Sequence, residues 1–305
     1  MGDVRIVAEN LGFPEGPVVM PDGAVVLTDI AGGRVVRVAP GGGVALLSAT
    51  GGGPNGLALG PDGALYCCNN GGGRYVPGHF MAQGPADDYE GGSIQRIDPR
   101  TGETRVLYTH CDGQRLSAPN DLVFDKAGGF YFTDLGKRYE RARDHGGLYY
   151  ALPDGSRIAE IAYPILSANG VGLSPDERTV YVADTEPARL WAFDIAAPGV
   201  LRKHGFPSPH GGRLVAGLGG PFARFDSLAV QANGDICVAT LVAGCLTVIT
   251  PDGRVVRQVE MPDTHPTNVC FGGPDLRTAY ISLSETGRLG ALDWPEPGLR
   301  LNFAG

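Results

Sequence analysis

"APNDLVFDKAGGFYFTDL", residues 118–135, reads as two short apolar runs, Leu122–Phe124 and Phe130–Phe132, joined by a turn made of Asp, Lys, Ala and two glycines. Apolar runs of this length, rich in Val, Phe and Tyr and flanking a Gly-containing turn, predict a β-hairpin. The unusual feature is its head. Asn120-Asp121 is a dipeptide that ordinarily marks a turn or a helix cap, yet here it leads directly into a strand.

The same construction occurs five more times: "EGPVVMPDGAVVLTDI" (15–30), "NGLALGPDGALYCCNN" (55–70), "NGVGLSPDERTVYVADT" (169–185), "DSLAVQANGDICVATL" (226–241) and "NVCFGGPDLRTAYISL" (268–283). Each has a polar residue, a short apolar run, a turn of Asp, Gly, Asn or Pro, and a second apolar run. The six starts are 40, 65, 49, 57 and 42 residues apart, a loose period close to that of four-stranded propeller blades. A third strand follows every hairpin, at 33–40, 92–99, 146–153, 188–195, 244–251 and 287–294. Fourth strands are legible as "GVALLSA", "ETRVLYT", "SRIAEIA", "GRLVAGL" and "RVVRQVE". For the sixth, either "VRIVAEN" (4–10) or "LRLNF" (299–303) is available; the N-terminal segment is preferred, because it closes the ring with both chain ends. No segment sustains a helical period. The expectation is an all-β, six-bladed β-propeller spanning 1–305 as one domain, with longer loops at 71–91 and 202–212.

Composition agrees with a water-soluble β protein. Of 305 residues, 43% are hydrophobic and 19% charged. Gly 48 and Pro 24 approach the level of disordered chains, but they alternate with apolar runs in strand-and-turn fashion. A net charge of −8 argues against nucleic acid and anionic membrane as partners. The most apolar charge-free stretch, Ile236 to Thr250, falls short of the ~20 residues of a membrane span and is broken by Gly244. The start lacks the basic and apolar regions of a signal peptide. The six cysteines form no CxxC pair. A cytoplasmic protein, monomeric or a small homo-oligomer, is expected.

In a propeller the innermost strand of each blade runs along the central channel and begins at one mouth. Glu15, Asn55, Asn120, Asn169, Asp226 and Asn268 head those strands and would converge on the axis. Two carboxylates and several amide carbonyls form a hard-oxygen set suited to Ca²⁺, Mg²⁺ or Mn²⁺, with oxygen-bound Zn²⁺ as a further candidate. Asn at a strand head often only caps a turn, and Asn55 and Asn268 are assigned to that ordinary class.

On these segments the chain resembles the SMP-30/gluconolactonase/LRE-like family of calcium-dependent propeller lactonases and related phosphotriesterases. The matching elements are "FPEGPV", "APNDLVF…FYFTD", "ANGVGLSPD…VYVADT", "FDSLAVQANGDICVAT" and "TNVCFGGPD", in that order over essentially the whole chain. The resemblance implies one divalent cation, Ca²⁺ first, bound by Glu15, Asn169 and Asp226. It puts Asn120 beside that ion, touching metal or substrate. It makes Asp226 the general-base candidate, with Asp121 the alternative. The implied substrate is a small molecule, a lactone. One departure stands out: sugar-lactone members of the vertebrate type have Arg where this chain has Ala118, which implies a less hydroxylated substrate. Ser227, directly after Asp226, is similar to the Asp-Ser of bacterial lactonase members.

Other chemistries find no support. There is no GxSxG elbow for a serine nucleophile, and the "GGG" runs and "GLGG" precede no helix that could cradle phosphate. His79, His210 and His265 fall in loops, where solvent exposure is the ordinary state. The aromatic "RYVPGHF" (74–80), followed by acidic "ADDYE", is a candidate lid over the channel.

Overall fold

The structure, a computed structural model, describes residues 3–77 and 79–304 and contains no helix among them. Six antiparallel blade sheets succeed one another along the chain, with a small two-stranded hairpin, His110–Cys111 and Gln114–Arg115, between blades 2 and 3. Blade 1 is Pro14–Val19, Val25–Asp29, Arg34–Val38 and Val44–Ser48, paired in sequence order. Blades 2, 3 and 5 repeat that meander from Pro54–Leu59, Pro119–Phe124 and Arg224–Val230. Ile236–Leu241 and Cys245–Ile249, the charge-free stretch, are two strands around a turn as its Gly244 suggests.

Blade 6 is completed from the other end of the chain. Arg5–Ala8 pairs with Arg288–Asp293 on the outside of Pro266–Gly272 and Thr278–Leu283. The alternative segment, 299–303, lies elsewhere. It crosses the far end of the channel, where Leu299 N–H donates to the Val230 carbonyl and the Asn302 amide to the Phe124 carbonyl.

Blade 4 departs from the expected pattern. Its third strand, Arg189–Ala197, is longer than the apolar pattern indicates, and it folds back through Pro198-Gly199 onto Val200–Arg202. Gly199 sits at φ 71°, a conformation that a side chain would resist. The expected fourth strand, Arg213–Gly217, pairs with the beginning of the same long strand, Arg189 to Ala192.

Packing lies mainly between blades. Tyr131 and Tyr150 of blade 3, for example, share a buried cluster with Val180, Trp191 and Phe193 of blade 4. Each such side chain removed from water contributes roughly 1.5–3 kcal/mol, and the residues come from segments some 30–60 positions apart. The ring is therefore held by contacts that no single repeat can make alone.

Along the axis, a cavity of about 110 Å³ is walled by the innermost strands, with Leu57, Val171, Leu228 and Val269 on its sides. Asp121 and Asn268 lie at one end; Leu276, Leu299 and Leu301 close the other.

Candidate active site at the channel mouth

The six strand heads share one backbone irregularity. Pairing between the innermost and second strands slips between Glu15 and Val18, Pro54 and Leu57, Pro119 and Leu122, Ala168 and Val171, Phe225 and Leu228, and Pro266 and Asn268. A bulge adds a residue to one strand and re-aims its side chains. This is why a turn-like Asn-Asp stands at the head of a strand: the dipeptide occupies a bulge inside the sheet.

The bulges also let neighbouring blades approach closely. A Cβ on Gly56 would lie 2.4 Å from Asp121 Oδ1, and one on Gly170 would lie 2.6 Å from Leu228 N. Thr28 Oγ1 donates to the Asn55 carbonyl at 2.9 Å, and Thr133 Oγ1 donates to the Asn169 carbonyl of the next blade.

Glu15, Asn120, Asp121, Asn169, Asp226 and Asn268 are all buried. Asn268 Nδ2 donates to Glu15 Oε2 at 2.7 Å, while its own Oδ1 accepts from Val269 N–H at 2.7 Å. Asn268 is thus more than a turn cap; it fixes the Glu15 carboxylate. Ser227 Oγ donates to Asn169 Oδ1 at 3.3 Å. Asn55, by contrast, contributes its main-chain carbonyl to the contact with Thr28.

The electrostatics bind the three carboxylates into one site. Burial pushes Glu15 above the ordinary carboxylate range, against hydrogen bonds from Asn268, Gly16 and Thr267. Burial and then the charge of Glu15 push Asp121 well up. Asp226 is pushed well up by burial, then by Glu15 and Asp121, with the Asn169 amide opposing. Hydrogen bonds, not cationic side chains, are what counter the mutual repulsion. Beside them, Asn120 Oδ1 is buried without a hydrogen-bond partner. A buried, unpaired carbonyl oxygen is costly, and so are clustered anions. A hard dication satisfies both demands at once, so the residues present fit such an ion.

The family model for the SMP-30/Gluconolactonase/LRE-like region matches residues 13–285. The chain belongs to the SMP-30/gluconolactonase/LRE-like family. It is 26% identical over 205 residues to a gluconolactonase of Zymomonas mobilis, covering 63% of this chain and 55% of that protein. It is 35% identical over 144 residues to the lactonase drp35 of Staphylococcus saprophyticus, covering 47% of this chain and 42% of that one. The chain therefore spans about half the length of the curated relatives it matches. Among solved structures, a gluconolactonase from Xanthomonas campestris superposes with a TM-score of 0.75 at 24% identity, covering 96% of this chain and 91% of that one. A calcium-binding protein, regucalcin, from Agrobacterium tumefaciens superposes with a TM-score of 0.74 at 19% identity, covering 98% and 97%. At these identities the structures share the fold.

Two features of this family member went unread in the sequence. The first is the residue ending the second strand in four blades. Asp29 accepts from Phe13 and Gly32 N–H, Asn69 from Gly53 and Gly71, Asp134 from Ser117, Ala118 and Gly136, and Asp184 from Ser167. These side chains tie down the segment that leads into the innermost strand of their own blade. The recurrent "TD", "CN", "TD" and "AD" were the available signal.

The second is a set at the rim of blade 6. Asp263, His265 and Glu285 bring their ligand atoms within 4.8 Å of one another. Asp263 is already engaged by His265 N–H and by Thr286 N–H and Oγ1, and His265 Nδ1 lies 3.1 Å from Glu285 Oε2. Of the other loop histidines, His79 is exposed as expected, while His210 is buried against Trp191 and Phe193, far from the mouth.

Proposed function

We propose that this chain hydrolyses a lactone with the help of one divalent cation held by Glu15, Asn169 and Asp226, with Asn120 at its edge. The observation that carries the reading is the buried trio Glu15, Asp121 and Asp226 beside the partnerless Asn120 oxygen. The lactonase names of the curated relatives support the choice of substrate class. Ca²⁺ is the preferred ion, because oxygen donors supplemented by water suit its flexible coordination; Mg²⁺, Mn²⁺ and Zn²⁺ are the competitors.

When bound, such an ion polarises the lactone carbonyl and stabilises the developing negative charge. The protein's own groups do the rest. Asn120 and Asn169 orient the ester group. A carboxylate takes one proton from the attacking water as the new C–O bond forms, and returns it to the ring oxygen as the old C–O bond breaks, giving a hydroxy acid. Asp226 is the first candidate for this base. Asp121, raised in pKa and free of ligand duty in this scheme, is the second. Ala118, small and buried, leaves no donor for sugar hydroxyls at that position. Six free cysteines, five of them buried, support a reducing compartment such as the cytoplasm. Among the described residues no helix is long and apolar enough to cross a membrane.

The test is turnover of a lactone panel and a phosphotriester panel by protein stripped of metal and then reloaded. Metal-dependent lactone hydrolysis is the expected result; phosphotriester turnover alone overturns it. Asp226→Asn is expected to lower both rate and metal affinity. Asp121→Asn is expected to leave metal affinity nearly intact, and to slow turnover by about 10²–10⁴-fold if Asp121 is the base. Near-normal turnover by both variants rejects the mechanism.

A further inference from the structure

The connection between the second and third strands of blade 2 is unlike its counterparts. In blade 1 that connection is residues 30–33, whereas in blade 2 it runs from 70 to 92. It is a folded strap. Arg74 N–H donates to the Gly84 carbonyl and Gln83 N–H to the Arg74 carbonyl, with Gly73 bridged to Pro85. Both stems are fastened to blade 3. Lys137 Nζ donates to the carbonyls of Asn70 and Gly72 at 2.7 and 2.6 Å. Tyr89 donates its hydroxyl to the Ser117 carbonyl at 2.7 Å, with the Lys137 ammonium 4.5 Å from its ring centre.

The tip comes to rest on two other blades. Phe80 stacks on Phe13 of blade 1, ring centres 4.7 Å apart and planes 28° apart, and lies 4.8 Å from the His265 ring of blade 6. Tyr75 meets the edge of Phe13 at 6.3 Å. Phe13 stands two residues before Glu15, and His265 three before Asn268, whose amide holds Glu15. The aromatic group thus forms the rim of the mouth on the Glu15 side.

We propose that Phe80, with Phe13 and Tyr75, is the specificity wall of the site, selecting lactones that carry a flat apolar substituent over polyhydroxylated ones. This rests on the lactonase reading. A hydroxyl pressed against the Phe80 ring loses water and gains no comparable partner. A planar apolar group gains both burial and ring stacking there. Phe80 is half-buried by Phe13 and His265, so part of its ring stays available to a ligand. The strap's fastenings at Lys137 and Tyr89 hold that ring in place before substrate arrives, which lowers the ordering cost of binding.

The experiment compares wild type, Phe80→Ala and Phe80→Trp on γ-phenyl-γ-butyrolactone and δ-gluconolactone, with thermal melting as a folding control. For the phenyl lactone, Phe80→Ala is expected to raise KM about tenfold with kcat within about twofold, and Phe80→Trp to restore KM. For gluconolactone, Phe80→Ala is expected to leave KM within about twofold or to lower it, because the hydroxyls lose an apolar neighbour. Equal losses on both lactones, or no change on either, overturn the wall. Binding of 2-phenyltetrahydrofuran, which has no carbonyl to hydrolyse, is measured in parallel by calorimetry. Phe80-dependent binding of this ether without turnover of any lactone leaves the wall standing and removes the lactonase reading. Lactone turnover with neither KM nor ether binding responding to Phe80 does the reverse.

Discussion

At the scale of single residues, His210 shows how burial sets chemistry. It sits edge-on to Trp191 at 4.5 Å, and its Nδ1 accepts from Gly212 N–H. Burial pulls its pKa down to about 4, so the folded protein keeps it neutral while the unfolded chain protonates it near pH 6.5. Its contribution to stability is therefore complete above about pH 6.5 and is lost as pH falls from there through 4. His210→Phe has nothing to protonate. Denaturation of both proteins at several pH values is expected to show wild type losing on the order of 1–2 kcal/mol relative to the variant across that window, allowing for solvent screening of the ring. Parallel pH curves would show that His210 is not the titrating group. The bulge residues belong to the same scale: Asn120 and Asn268 are the same residue type at equivalent strand heads, but the first has a side-chain oxygen without a partner and the second is bound to Glu15. Their residue type and position were legible. Their separate roles depend on neighbours about 100 and 250 residues away in the chain, which local sequence does not specify.

At the scale of elements, the innermost strands touch one another where a glycine follows the strand head. Gly170 has no positive φ, so its value is space rather than conformational freedom. Gly170→Ala places a methyl group against Ser227 Cα at 2.6 Å and Leu228 N at 2.6 Å, both backbone atoms that cannot rotate aside. The variant is expected to lose about 1–3 kcal/mol, and to lower the melting midpoint by several degrees. Because the displaced segment includes Asp226 and Ser227, turnover should fall as well. A stable, fully active Gly170→Ala protein would mean that the innermost strands are not packed as closely as described. Strand existence was easy to read from alternating apolar runs and turns. The fold-back of Arg189–Ala197 onto Val200–Arg202 was not, because Ile195–Ala197 and the three-residue return show no apolar–polar alternation and Pro198-Gly199 reads simply as the end of a strand.

At the scale of the whole molecule, closure is non-covalent. Arg5–Ala8 supplies the outer strand of blade 6, and Leu11 N–H donates to the Gly287 carbonyl, so the two ends of the chain are joined only through pairing and packing. Leu11 and Ala8 are buried with Val36, Val38 and Leu289. Removing residues 2–9 strips blade 6 of its fourth strand and exposes the edge of Arg288–Asp293, an invitation to aggregation. Such a deletion is expected to lower the denaturant midpoint clearly and to promote association, read by chemical denaturation and light scattering. Unchanged stability would assign no closing role to the strand.

What the sequence determined by itself is whatever repeats. The six hairpins, their third strands and the polar residue at each strand head are all encoded within some 40–65 residues, where periodicity and turn chemistry act directly. The tertiary structure alone decided how those heads differ. Glu15 raises the pKa of Asp121 and of Asp226, and Asp121 that of Asp226, only because ring closure brings blades 1, 3 and 5 to a common axis. Phe80 reaches Phe13 and His265 only because the blade 2 strap crosses to blades 1 and 6. Local propensity cannot encode either result, since electrostatic coupling and ring stacking depend on distances across space rather than on order along the chain.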